Sequence, residues 1–354
     1  MHRSMPLRAP CRHGLGPGDA ATGRHGRRWG ASALGLAASL ALSPALAAPT
    51  DVVSALAGSE PIVPIAAPTG LDPGKVALGA ALFGDARLSG TGDVACATCH
   101  DLAHGGDDGQ SRRLGSDGRR LEFNAPTVFN AALNFRLNWR GNFRDLEAQN
   151  EAALLDPQIM ASDWATLLPR LRAVPDYARG FGAAYGRPPE RADVLDALAS
   201  FQRSLVTPGA RLDRYLAGDA DALRPDERRG FELFKSYGCV SCHQGRNVGG
   251  NLFQRFGIFP DPETRARTDA DVGRFSITGL DADRRVFRVP SLRNVALTAP
   301  YLHDGRAETL AEVVAIMGRA QLGVELPSGD IELIVRFLGT LSGAYGGAPT
   351  VPAR

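Results

Sequence analysis

Apolar residues recur at helical spacing in several stretches, and strict alternation of the kind a half-buried strand needs is scarce. Val194, Leu195, Leu198, Phe201 and Leu205 share one face of a helical run over 192–206, which Pro208 stops. Ile331, Ile334, Val335 and Leu338 form a similar face near the C-terminus, with Ser328 placed to cap it. A further helical run covers Thr309 to Ala320. Two stretches share a G-x-x-L-F pattern, Gly79-Ala80-Ala81-Leu82-Phe83 and Gly230-Phe231-Glu232-Leu233-Phe234, which reads as one helix used twice. The expected class is therefore mainly α, in two halves that each open and close with a helix. The halves span 72–210 and 211–345, with the boundary near Pro208 to Asp213.

The first residues read differently. Arg24, Arg27 and Arg28 precede an apolar run from Ala31 to Leu42, and Ala45-Leu46-Ala47 is a small-residue cleavage site. Residues 1–48 are expected to be a secretory signal peptide, which directs the chain to the periplasm. Residues 49–71 are Pro- and Ala-rich and read as a loosely held lead-in, with order beginning near Asp72. Residues 346–354 read as a tail. Removing the segment to Ala48 takes six arginines and one aspartate from 40 basic and 38 acidic residues, so a net charge of +2 becomes −3. Nothing in that balance favours nucleic acid.

Cysteine usage supplies the chemistry. Cys11 lies in the signal segment; the other four stand in Cys96-Ala97-Thr98-Cys99-His100 and Cys239-Val240-Ser241-Cys242-His243. C-x-x-C-H is the attachment signature of a c-type haem: two thiols add across the vinyl groups and the adjacent histidine lies under the iron. A redox dithiol or half a zinc site would account for a C-x-x-C pair, but not for two copies that each carry the histidine. Two covalently bound haems c are expected, with His100 and His243 as proximal ligands. Past the signal the chain has only two other histidines, His104 and His303, and two methionines, Met160 and Met317. These are the candidates for a sixth ligand. His104 is only four residues past His100, so it reads as a loop histidine. A methionine opposite histidine suits electron transfer, whereas an open position suits peroxide chemistry.

Longer motifs carry a resemblance. Val286-Phe287-Arg288-Val289-Pro290-Ser291-Leu292-Arg293-Asn294, then Leu297-Thr298-Ala299-Pro300-Tyr301-Leu302-His303-Asp304-Gly305, Thr309-Leu310 and Met317, resemble the bacterial di-haem cytochrome c peroxidase and MauG superfamily. The first half agrees through Asp85-Ala86-Arg87-Leu88-Ser89, Asn124-Ala125-Pro126-Thr127, Trp139-x-Gly141 and Leu146-x-x-Gln149. The resemblance implies that electrons enter at a haem ligated by His243 and Met317 and that peroxide reacts at the haem on His100. Trp139 would lie between the haems, His303 would sit beside the second haem, and Gln149 would belong to the peroxide pocket. One Ca²⁺ would be held by the Asn124 side chain and the carbonyls of Thr298 and Pro300. The implied partners are H2O2 and a small redox protein, a cytochrome c or a cupredoxin, and the family suggests a homodimer.

The chain departs from that pattern at the site of chemistry. Ser116 stands where the family carries a displaceable distal histidine, and Ile159 stands where it carries a catalytic glutamate. Isoleucine cannot move the proton that O–O cleavage requires. Glu147, Glu151 and Asp156 remain candidates for that task. The leading reading is a periplasmic di-haem oxidoreductase that reduces hydrogen peroxide. The alternatives are a MauG-like oxidase of a protein or small-molecule substrate, and an electron-transfer cytochrome with a decayed peroxide site.

Overall fold

The structure, a computed structural model, describes residues 60–260 and 268–346 and the backbone of 348–349. The expected signal peptide lies outside the described residues. The chain is mainly helical. The first half contains α1 (Pro73–Phe83), α2 (Leu146–Leu155), α3 (Trp164–Arg172), α4 (Pro175–Tyr185) and α5 (Arg191–Ser204). The second contains α6 (Arg211–Leu216), α7 (Pro225–Ser236), α8 (Leu310–Met317) and α9 (Ser328–Gly339). A short antiparallel pair, β1 (Phe253–Arg255) and β2 (Val286–Arg288), sets Phe253 opposite Arg288. The described residues form one compact unit with two hydrophobic clusters, one drawn mainly from 78–205 and one mainly from 212–341.

Local chemistry explains the helix starts. Asp72 accepts from the Lys75 amide and Pro73 opens α1, a capped start with a ring where no donor is needed. Asp145 and Thr309 cap α2 and α8 in the same way. Ser328 departs from expectation: it is the first residue of α9, follows Pro327, and makes no capping bond. The run expected over 309–320 is α8 followed by a π turn, Gly318–Leu322, so the backbone changes pitch immediately after Met317. Such turns often accompany functional sites.

The G-x-x-L-F repeat has a physical cause. α1 crosses α5, and α7 crosses α9, with backbones in near contact. A Cβ on Gly79 would stand 2.0 Å from the Ala197 carbonyl oxygen, and one on Gly230 would stand 2.0 Å from that of Leu333. Only glycine allows the approach. The phenylalanine that ends each pattern packs beside a haem-motif histidine: Phe83 and Phe234 lie 6.5 Å from His100 and His243 respectively, between ring centroids.

A second repeat joins Asn124–Leu146 to Arg288–Leu310, residue for residue. Asn130 and Asn294 both take positive φ (60° and 61°) before a 3₁₀ turn, over 131–133 and 295–297. Asn138 and Leu302 do so again, as do Gly141 and Gly305. The bridge between Leu137 and Phe143 recurs as Tyr301 to Ala307. The copies meet and exchange matched hydrogen bonds: the Asn124 amide donates to the His303 carbonyl at 2.8 Å, and the Arg288 amide to the Trp139 carbonyl at 2.9 Å.

Residues 60–65 and Tyr345, which flank the two halves, each pack on the half remote from them in sequence. Residues 60–65 are not loosely held: Ile62 and Ile65 are buried, Ile62 within the second cluster. The Arg293–Asp213 ion pair (2.7 Å) anchors this stretch, Arg293 donating to the Val63 carbonyl while Asp213 accepts from the Ile65 amide. At the other end Tyr345 packs on the first cluster, 5.4 Å from Phe129.

Gly79→Ala should lower stability by about 1–3 kcal/mol, the cost of overpacking a filled contact. Gly182→Ala, on the exposed side of α4 with nothing within 4 Å, should be neutral or stabilising. Denaturant midpoints of the holoprotein check both, and equal midpoints for the two variants would contradict the crossing.

Candidate functional site

Each C-x-x-C-H motif forms one tight turn, Cys96–Cys99 α-helical and Cys239–Ser241 3₁₀. The histidine that follows is oriented by the chain. His100 Nδ1 faces the Gly106 carbonyl at 3.3 Å, and His243 Nδ1 faces that of Val248 at 3.4 Å. The carbonyls of Pro126 and Pro290 lie beside the same rings. Loops complete the match: Thr127 Oγ1 donates to the Gly105 carbonyl, and Ser291 Oγ to that of Asn247. A ring whose Nδ1–H is held by a carbonyl presents Nε2 as its remaining lone pair. Desolvation pulls each imidazole down to about 4, so both rings are neutral and able to ligate.

The cysteines are unpaired with one another. Burial pushes the Cys96 thiol up to about 12 and the Cys239 thiol up to about 11. Reactive dithiols need the opposite shift. Among the described residues no cluster of three or more His, Cys, Asp or Glu is placed to hold a metal ion, which leaves a zinc site without ligands. Two thiols and a neutral, oriented imidazole, present twice, fit covalent haem.

The remaining predicted residues separate clearly. Met317 ends α8, is partly buried, and stands outside the second hydrophobic cluster, whereas Met160 is buried inside the first. His104 is a loop histidine, as expected, with Nδ1 2.7 Å from Asp101 Oδ2. His303 is buried, its Nε2 2.9 Å from Asp271 Oδ1, its ring stacked on Phe287 and edge-on to Trp139. Trp139 and His303 occupy equivalent places in the two repeats. The Trp139 indole N–H donates to the Asn124 carbonyl at 2.8 Å. Asn124 itself is buried; its Nδ2 lies 2.6 Å from the Pro300 carbonyl and its Oδ1 has no partner. Gln149 lies on α2 with its Oε1 buried and unpartnered.

The segment where a distal group would stand is closed by its own bonds. Ser116 donates its hydroxyl to the Pro157 carbonyl and its amide to the Gln158 carbonyl. Ile159 packs on the first cluster, its amide bonded to the Asp156 carbonyl. Each of the three candidate carboxylates has a partner. Glu147 pairs with Arg203, and Asp156 accepts from the Gln158 amide. Glu151 is held below the usual carboxylate range by Arg191, and also accepts from the Trp164 indole.

Comparison with known proteins agrees with this geometry. The family model described as di-haem cytochrome c peroxidase matches residues 73–221. The chain is 40% identical over 303 residues to a cytochrome c551 peroxidase of Nitrosomonas europaea, covering 85% of this chain and 90% of the relative. It is 38% identical over 247 residues to the methylamine utilization protein MauG of Methylorubrum extorquens, covering 69% and 68%. Among solved structures, a MauG-like protein associated with microbial copper homeostasis matches with a TM-score of 0.71 and 30% identity, over 80% of this chain and 94% of that one. With its two haem-binding motifs, paired oriented histidines and this set of relatives, the chain belongs to the di-haem cytochrome c peroxidase and MauG superfamily, whose members are oxidoreductases of peroxidase type carrying two c-type haems.

Proposed function

We propose that this chain is an exported, periplasmic enzyme that reduces hydrogen peroxide to water with electrons from a small redox protein, a cytochrome c or a cupredoxin. The observation that carries the reading is a difference between the repeated helices α2 and α8. At matched positions the first half has Gln149 and Ala153, and the second has Val313 and Met317. At these positions α2 therefore offers an amide and no thioether, and α8 a thioether and no amide. Met317 also stays outside the cluster that a packing methionine would join.

We assign His243 and Met317 to the haem at which electrons enter, and His100 to the haem that meets peroxide. Bound haem supplies a redox iron whose potential its axial ligands set. The chain's own residues supply the surroundings. Gln149 has an amide to hold a polar substrate but no proton to exchange. Trp139 and His303, in ring contact at the junction of the halves, bridge them. Asn124 Oδ1, buried without a partner, supports one Ca²⁺ shared with the Thr298 and Pro300 carbonyls, since that ion accepts amide, carbonyl and water oxygens. Export rests on the basic, apolar and small-residue order of 24–47.

A second reading has its own support. Ser116 offers no histidine, and its hydroxyl is committed to Pro157, so a permanently open site of the MauG kind is compatible with the loop. Met317 favours the peroxidase reading, because a thioether ligand keeps the electron-receiving haem at high potential.

Met317→His should lower the potential of the second haem and leave the first nearly unchanged in a spectroelectrochemical titration. An unchanged second potential would remove Met317 from the iron. Ile159→Glu should raise peroxide turnover toward the roughly 10²-fold that a placed acid–base group contributes. Steady-state turnover with a reduced cytochrome checks this, and no gain would show that proton transfer does not limit the native enzyme.

A further inference from the structure

The two repeats meet across the junction by reciprocal bonds, and the side chains at the two meeting points differ. In one copy the position is Asn124; in the other it is Arg288. Arg288 is 5% exposed, and burial lowers its guanidinium to about 10. A buried cation ordinarily requires a carboxylate beside it. Among the described residues the partners are neutral oxygens: the Asn138 carbonyl at 3.2 Å from Nε, and Asn134 Oδ1 (3.3 Å) and the Val289 carbonyl (3.4 Å) from Nη1. A positive charge enclosed by amide and carbonyl oxygens is what a calcium shell looks like.

The matched place in the other copy lacks the guanidinium and shares one carbonyl of this shell; its nearest oxygen is the Pro300 carbonyl, 2.6 Å from Asn124 Nδ2. Asn138 corresponds to Leu302, and both take the left-handed backbone (φ 67° and 72°) that turns their carbonyls toward the junction. The Leu302 carbonyl lies 3.4 Å from Asn124 Nδ2, just as that of Asn138 meets Arg288. Asn134 corresponds to Thr298, and Asn124 Oδ1 is left buried without a donor. Arg288 reaches from the second half to Asn138 and Asn134 of the first, and Asn124 from the first to Pro300 and Leu302 of the second, so each side chain is a stitch between the halves.

We propose that the chain holds two copies of one cation pocket, and that Arg288 is the built-in cation of the second, where Asn124 serves an exchangeable Ca²⁺ in the first. The inference rests on the calcium reading above. One stitch is permanent and the other removable, so calcium withdrawal loosens the junction from the Asn124 side only.

Calcium content and chelator-dependent thermal midpoint of the holoprotein test this. Wild type should hold one Ca²⁺ per chain and lose midpoint on chelation. Asn124→Arg should hold none, and chelation should no longer change its midpoint. Arg288→Asn should hold two at saturating calcium and be more sensitive to chelation. If wild type binds no calcium, the calcium reading fails before the inference does. If wild type binds one and Arg288→Asn also binds one, the two pockets are not equivalent and the inference is overturned. Should Arg288→Asn not fold, Asn124→Arg still decides: retained calcium or retained chelator sensitivity overturns the proposal.

Discussion

An imidazole held at Nδ1 by a backbone carbonyl has only one nitrogen left to give, and that constraint organises this molecule twice. For His100 and His243 the carbonyls come from tight loops, at Gly106 and Val248, which the repeated Pro126 and Pro290 segments close from above. The loops are fixed in turn by Thr127 and Ser291 hydroxyls. The helix crossings at Gly79 and Gly230 bring Phe83 and Phe234 against the same rings. The orientation of both histidines is thus built from backbone hydrogen bonds and two close helix contacts.

Given two similar seats, function depends on how the halves diverge. The matched helices carry Gln149 and Ala153 in one copy and Val313 and Met317 in the other. The matched junction residues are Asn124 and Arg288, Trp139 and His303. Backbone geometry is kept while side chains change, and Trp139 and His303 put the two copies in ring contact. Ser116 and Ile159 are both held by bonds to the 156–158 turn.

Much of this was legible in the sequence because the chemistry is local. The C-x-x-C-H spacing, the G-x-x-L-F pattern and the helical faces around Val194 and Ile334 need only a few consecutive residues to be read. Met160 and Met317 are the two methionines past residue 48, which is what makes a candidate ligand of Met317 readable in the sequence. The repeat over Asn124–Leu146 and Arg288–Leu310 is hard to read because its identities, among them Pro126 with Pro290, Asn130 with Asn294 and Gly141 with Gly305, are scattered, and positions such as Asn138 and Leu302 share a left-handed turn and no side-chain chemistry. The packing of Ile62 and Ile65 was missed because a Pro- and Ala-rich stretch has no periodicity, and its anchor, Asp213 with Arg293, is remote in sequence. The engagement of Glu147, Glu151 and Asp156 likewise depends on partners brought in by other elements or by the turn.

The division of labour between the halves is tested most directly by the electron paramagnetic resonance spectrum of the fully oxidised protein, recorded before and after cyanide. The account predicts one low-spin haem with histidine–methionine ligation, unchanged by cyanide, and one high-spin haem that cyanide converts to low spin without prior reduction. Two low-spin haems at rest, with a bis-histidine signal from the first, would contradict it.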